Sequence, residues 1–123
     1  MLPNDRPILH AADLTGCTTM PGLSSTQIAA AFVGALQGAG ATVVEVVAHD
    51  FPGAGLTCVL ILAESHAVLH TWPETGTVHV DVFSCSSRLA SRAAIQALGQ
   101  SFGATQVSVQ EIPRAGRQLP PTD

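Results

Sequence analysis

Residues 63–85 hold most of the side chains in this sequence that could do chemistry. The segment reads AESHAVLHTWPETGTVHVDVFSC. It combines a Glu-Ser peptide bond, the histidine pair His66 and His70, a Trp-Pro-Glu turn and a cysteine. The residues of interest are Glu64, Ser65, His66, His70, Trp72, Pro73, Glu74 and Cys85.

Ser65 follows a carbonyl at the end of a predicted buried strand, where its hydroxyl could attack the carbonyl carbon of Glu64. Such an N-to-O acyl shift requires donors for a transient oxyanion, and Thr57 or nearby backbone N–H groups could supply them. His70 is expected to face back towards Ser65 in a hairpin and to remove its α-proton, since a histidine titrates near neutral pH. Elimination and hydrolysis would then leave a pyruvoyl group.

The chain contains no lysine. Enzymes that use pyridoxal phosphate bind it through a lysine Schiff base, so that cofactor is effectively excluded. A pyruvoyl group made from Ser65 would supply the missing electrophilic carbonyl.

Three segments carry a resemblance to a known family. ESHAVLHTWPE followed by VDVFSC, together with HDFPGAGLT upstream and, more loosely, ADLTGC, resembles the prokaryotic S-adenosylmethionine decarboxylase proenzymes. These are pyruvoyl enzymes of polyamine synthesis. The resemblance implies cleavage between Glu64 and Ser65, a β chain of residues 1–64, and an α chain of residues 65–123 that begins with the pyruvoyl group. The product would feed aminopropyl transfer to make spermidine.

The same resemblance implies roles for further residues. Cys85 would protonate the substrate α-carbon after decarboxylation, Phe51 would stack on adenine, and Glu74 would accept hydrogen bonds from the ribose hydroxyls. Trp72 would line the same pocket or fill the core beside Pro73. Thr57 stands where the family commonly has a serine that assists processing, so the hydroxyl is retained.

Two alternatives stay open at this stage. One is a pyruvoyl-dependent decarboxylase of a basic amino acid such as arginine or ornithine, although Phe51 and Glu74 would then have no adenosine to bind. The other is an unprocessed nucleoside-binding or metal-binding module. His66, His70 and Cys85 are all possible zinc ligands, but a spacing of four on a strand separates side chains by about 13 Å, so we predict no metal site.

Composition limits the partners and the compartment. The formal net charge is −4 and the five arginines form no stripe, which argues against nucleic acid and favours a cationic small ligand. The resemblance implies that this ligand is S-adenosylmethionine. Three irregularly spaced cysteines favour reduced thiols and a cytoplasmic location. We also expect no membrane association, because the apolar run at 58–63 is too short to span a bilayer. With 46% hydrophobic and 11% charged residues, a homodimer interface is expected.

The hydrophobic periodicity predicts one domain, residues 1–123, with an α+β fold. Strands are expected at 7–15, 41–48, 56–63, 66–71, 77–83 and 104–112. A helix is expected to start at a Ser24–Gln27 capping box and run to 37, and a second is expected to be capped by Ser86 or Ser87 and run to 102, with Leu89, Ala93, Leu98 and Phe102 facing inward. Residues 51–55 and 72–76 are predicted turns, and 113–123 a disordered tail. The result would be a mainly antiparallel sheet with two helices on one face, and the resemblance implies that two such sheets stack into an αββα dimer with active sites near the interface.

Overall fold

The structure is a computed structural model that describes residues 7–115. Its six strands are β1 (Ile8–Thr15), β2 (Val43–Phe51), β3 (Gly55–Leu62), β4 (Ser65–Trp72), β5 (Thr77–Ser84) and β6 (Gln106–Pro113). The helices are α1 (Ser25–Gly38), α2 (Ser91–Phe102) and a short 3-10 turn at Met20–Gly22. Neither α1 nor α2, the longer helices in residues 7–115, is long and apolar enough to cross a membrane.

All six strands form one antiparallel sheet in the order β2-β3-β4-β5-β1-β6. The two helices pack together against one face, and their buried residues include Phe32, Leu36, Ile95 and Leu98. The α+β prediction, with a mainly antiparallel sheet and two helices, is confirmed.

Alternation along the strands separates the two faces of the sheet. Val78, Val80 and Val82 of β5 are fully buried against the helices, as their spacing predicts. The opposite face has no covering layer among the described residues; we call it the open face. Its larger apolar members are half-buried or exposed: Leu9, Val47, Phe51, Val59, Ile61, Val68, Trp72, Phe83 and Ile112.

The start of α1 follows the sequence closely. The Ser24 hydroxyl accepts a hydrogen bond from the Gln27 N–H at 3.1 Å, and the Gln27 side chain accepts one from the Ser24 N–H at 2.8 Å. This reciprocal pair satisfies two N–H groups that the first helical turn leaves free. The predicted capping box is therefore confirmed.

Several predicted boundaries are wrong. Helix α2 begins at Ser91, because Ser84 and Ser86 use their hydroxyls within a turn instead of capping a helix. Ala93 is exposed, and Ala94 and Ile95 fill the inward positions. Strand β3 is buried on the helix face only.

The ends of two strands also differ from the prediction. Strand β2 continues through Phe51, because its register with β3 extends to the pair Phe51 and Gly55. Gly55 has φ +101°, and a Cβ there would lie 2.0 Å from the Thr71 carbonyl oxygen, so only glycine fits this close approach. At the other end of the chain, Pro113 closes β6, and the rest of the predicted tail beyond residue 115 lies outside the described residues.

Candidate active site

The Glu64–Ser65 bond lies at the exit of a very tight hairpin. Only Ala63 and Glu64 separate β3 from β4, and Leu62 pairs directly with Ser65. Two-residue hairpins favour glycine or asparagine because their backbone requires positive φ, and this turn contains neither. The distortion falls on Ser65, whose φ is 150°, the only positive value at a non-glycine residue in the range 7–115. Such a conformation costs on the order of 1–3 kcal/mol and often marks a functional site.

Main-chain groups of Thr42 hold this turn in place. The Thr42 N–H donates to the Glu64 carboxylate at 3.0 Å, and the Thr42 carbonyl accepts from the Ala63 N–H at 2.9 Å. Both residues of the turn are therefore tethered to the segment that precedes β2. Sequence reasoning did not identify Thr42, since its contribution comes from its main chain, which carries no residue-type signal.

Cys85 lies against the carbonyl oxygen of Glu64. The register places Ser84 opposite Ser65, so Cys85 follows immediately beside the turn. Its thiol is 3.8 Å and its backbone N–H is 3.5 Å from the Glu64 carbonyl oxygen. Both contacts are long, yet both donors point at the atom that would become an oxyanion if Ser65 attacked that carbonyl.

The other two cysteines differ from Cys85 in burial. Cys17 and Cys58 are buried in the core, and burial raises the pKa of each thiol. Cys85 is only half-buried, and all three are free thiols in the structure. Cys85 is the one thiol within residues 7–115 that contacts the Glu64 carbonyl.

His66 is the histidine that contacts Ser65. The Ser65 hydroxyl lies 3.2 Å from Nδ1 of His66. The His66 ring is 5.4 Å from the ring of Phe83, its register partner on β5. Sequence reasoning considered His66 only as a metal ligand, although its place directly after Ser65 was the available signal.

His70 lies on the same strand as Ser65 but far from it. Strand β4 runs without interruption from Ser65 to Trp72, so five residues at about 3.3 Å each separate the two by about 16 Å. The expectation that His70 faces back towards Ser65 in a hairpin is wrong, because the hairpin turn comes before Ser65. Within one chain these residues cannot react with each other.

His70 instead pairs with Thr57. The Thr57 hydroxyl and Nδ1 of His70 are 2.6 Å apart, and the two residues face each other in the β3–β4 register. If Nδ1 donates its proton to Thr57, Nε2 keeps the lone pair that a base requires. Nε2 is buried and has no hydrogen-bond partner among the described residues.

Aromatic rings surround His70 on the open face. Its ring centroid is 4.4 Å from that of Trp72 and 6.3 Å from that of Phe51. The indole N–H of Trp72 donates to Nδ1 of His79 at 3.1 Å, which fixes the indole orientation. The structure thus brings Thr57, His70, Phe51 and Trp72 together at one end of the sheet, away from Glu64, Ser65 and Cys85.

Glu74 lies in a cleft next to this aromatic group. The cleft measures about 700 Å³, within the range of small-molecule sites. Phe51 lines it from the end of β2 and Glu74 from the β4–β5 turn, and Asp50 adds a second carboxylate. Trp72 is not part of its lining. A cleft with apolar walls and two carboxylates suits a ligand that carries positive charge.

Metal binding receives no support from this arrangement. Within residues 7–115, no three histidine, cysteine, aspartate or glutamate side chains lie close enough to share a metal ion. His66 and His70, both on β4, are four residues apart along that strand.

Comparison with known proteins defines the family. Residues 9–115 match the family model described as S-adenosylmethionine decarboxylase. The chain belongs to the S-adenosylmethionine decarboxylase family. The resemblance seen in the sequence motifs is therefore confirmed.

Individual relatives agree with this assignment. The chain is similar to S-adenosylmethionine decarboxylase proenzyme 2 of Halalkalibacterium halodurans, with 36% identity over 84% of this chain and 81% of the relative. It is 34% identical to the proenzyme of Clostridium tetani over 84% of this chain and 82% of the relative. Its fold is similar to the crystal structure of the adenosylmethionine decarboxylase from Aquifex aeolicus VF5, with a TM-score of 0.83, 25% identity and coverage of 97% and 98%.

Proposed function

We propose that this protein is a self-processing, pyruvoyl-dependent enzyme that decarboxylates S-adenosylmethionine. The observation that carries the proposal is the Glu64–Ser65 bond, which leaves a tight hairpin with φ 150° at Ser65 and has Cys85 donors at its carbonyl. The chain has no lysine to hold pyridoxal phosphate as a Schiff base, so a carbonyl made from Ser65 would supply the electrophile that decarboxylation of an amino acid requires. Family membership favours this hypothesis over decarboxylation of arginine or ornithine.

Self-processing begins with attack of the Ser65 hydroxyl on the Glu64 carbonyl carbon. The thiol and the backbone N–H of Cys85 stabilise the oxyanion that forms, and the peptide C–N bond then breaks to leave an ester and a free amine on Ser65. Relief of the strained Ser65 conformation favours this step. Removal of the Ser65 α-proton then expels the Glu64 carboxylate and leaves a dehydroalanine, whose hydrolysis releases ammonia and gives the pyruvoyl group.

The base for the α-proton is His70 of a second copy of the chain. Its own Ser65 is about 16 Å away along β4, so a functional site requires a partner. The open face supplies a surface for that partner, since Val47, Ile61 and Ile112 are exposed on it. Only 11% of the residues are charged, so few charges surround these apolar side chains. A dimer that covers this face would remove the apolar side chains from water.

The two-fold symmetry of a dimer can align the separated halves of the site. Val68 lies on the open face of β4, between the Ser65 and His70 ends. If the two-fold axis crosses the strands near Val68, each Ser65 end faces the His70 end of its partner. Glu64, Ser65 and Cys85 from one protomer then combine with Thr57 and His70 from the other.

The residues around Phe51 and Glu74 bind the substrate in this proposal. The Phe51 ring is 43% exposed and can stack on adenine, while the Glu74 carboxylate can accept two hydrogen bonds from adjacent ribose hydroxyls. Trp72, held by His79, presents an electron-rich ring to the cationic sulfonium.

A pyruvoyl group formed from Ser65 would supply an electrophilic carbonyl for the substrate amine and an electron sink for decarboxylation. Cys85 remains beside the new N-terminus after cleavage, where its thiol can donate a proton to the substrate α-carbon. A thiol suits this task because it can donate a proton and later recover one.

Carbon dioxide release from carboxyl-labelled substrates tests the activity. We expect release from S-adenosylmethionine by the processed protein and none by the Ser65→Ala variant, which cannot form the carbonyl. Arginine and ornithine serve as competing substrates in the same assay. Release from either amino acid, with none from S-adenosylmethionine, would establish the alternative instead.

A further inference from the structure

A histidine nitrogen of the same chain lies beside the Ser65 hydroxyl, and it belongs to His66. Nδ1 of His66 lies 3.2 Å from the Ser65 hydroxyl oxygen, within hydrogen-bonding distance. Self-processing requires two separate proton removals, first from this hydroxyl and later from the Ser65 α-carbon. Since His70 lies about 16 Å away along β4, it cannot serve the first step within the chain.

The contact depends on the distorted backbone at the cleavage site. Successive side chains of a regular strand point to opposite faces, so Ser65 and His66 would normally diverge. The φ of 150° at Ser65 departs from regular strand geometry at this residue, and its hydroxyl lies beside the His66 ring. Phe83 packs near that ring, with centroids 5.4 Å apart.

We infer that His66 is the catalytic base that activates the Ser65 hydroxyl, an assignment that rests on the proposed self-processing. Nδ1 accepts the hydroxyl proton while the oxygen bonds to the Glu64 carbonyl carbon. When the peptide C–N bond breaks, the same proton passes from Nδ1 to the departing Ser65 nitrogen. His66 ends the step neutral, and the products are an ester and an amine, with no other reactant consumed.

Two histidines then divide the reaction between two protomers. His66 acts in the chain that is cut, and His70 of the partner removes the α-proton from the ester. Loss of either histidine blocks cleavage, but the chain stops at a different species in each case. An ester accumulates without His70, whereas the intact peptide persists without His66.

Hydroxylamine distinguishes these species because it cleaves an ester and leaves a peptide bond intact. The parent is the His70→Ala variant, in which hydroxylamine should release a fragment ending at residue 64 and a fragment with free Ser65. We compare it with His66→Ala/His70→Ala and His66→Gln/His70→Ala, and follow the fragments by mass. His10→Gln/His70→Ala is the matched control, since His10 lies in β1, on the helix face of the sheet, and within residues 7–115 its side chain hydrogen-bonds only to Glu111.

We expect both His66 variants to lose ester formation by about 100-fold or more, the usual contribution of a positioned base. Glutamine keeps a polar side chain of similar reach but has no basic nitrogen, so its failure is not explained by lost shape. Added imidazole should partly restore the His66→Ala/His70→Ala chain, which a misfolded chain would not allow. The His10 control should match the parent.

Ester formation at the parent rate in either His66 variant would overturn the inference. An ester in the parent, with none in either His66 variant and rescue by imidazole, would support it. If the His70→Ala parent forms no ester and the wild-type chain is never cleaved, the proposed function is wrong, and the assignment of His66 falls with it.

Discussion

Co-expression of a Ser65→Ala chain with a His70→Ala chain should produce cleavage that neither variant shows alone. Ser65 and His70 are about 16 Å apart on one continuous strand, so each site must draw them from different protomers. In a mixed dimer, one site receives Ser65 from the His70→Ala chain and His70 from the Ser65→Ala chain. The other site lacks both residues.

Symmetry sets the size of the effect. Random pairing of equal amounts makes about half of the dimers mixed, and about half of the His70→Ala chains should therefore be cut. The Ser65→Ala chain, distinguished by a tag of different mass, should stay intact. Gel or mass analysis of both chains gives the two fractions directly.

A second pair controls for general stabilisation by co-expression. Cys85 and Ser65 lie at the same end of one chain, so Ser65→Ala with Cys85→Ala leaves no site that holds both Ser65 and Cys85. That pair should not reach the cleavage of the first pair. Equal cleavage in both pairs would show that the Cys85 thiol is dispensable for processing, whereas no cleavage in the first pair would refute the division of the site between protomers.

Three further predictions follow from individual contacts. Thr57→Val removes the 2.6 Å hydrogen bond to His70 and should slow cleavage by about tenfold or more, whereas Thr57→Ser should not, as mass time courses will show. Glu74→Gln should raise the KM for S-adenosylmethionine by about tenfold with a smaller change in kcat; a change confined to kcat would contradict a ribose contact. A hydrogen bond from Arg92, and a second from His10, lower the pKa of Glu111. These hydrogen bonds stabilise the folded state fully at a pH above the pKa of a glutamate in the unfolded chain, about 4.3. The stabilisation is lost as the pH falls through the lower pKa that Glu111 has in the folded state. The Tm deficit of Arg92→Gln should therefore shrink in acid, and a pH-independent deficit would refute this contribution.

The fold was largely predictable because local patterns and tertiary packing agree. The alternation of Val78, Val80 and Val82 predicted which face of β5 is buried, and the Ser24–Gln27 pair predicted the start of α1. The start of α2 was not predictable in this way. Ser86 is a good cap by residue type, but its hydroxyl accepts from the Arg88 N–H within a turn, and the helix begins later.

The sequence allowed us to propose which residues form the site, but it did not allow us to predict the distances between them. Residue type and motif identified Ser65, His70 and Cys85, but their distances depend on where the hairpin turns. A turn placed after Ser65 would bring His70 back towards it, whereas the actual turn at residues 63 and 64 puts both on one strand. The contact between Ser65 and His66 occurs where Ser65 has a φ of 150°, whereas the alternation of a regular strand predicts that neighbouring side chains diverge.

The intact mass of the purified protein under denaturing conditions tests the central claim most directly. We predict two fragments, residues 1–64 and 65–123, with the second blocked at its N-terminus and matching in mass a chain that begins with a pyruvoyl group. A single uncleaved chain that persists through long incubation, in both the wild type and the Thr57→Ser variant, would contradict the account.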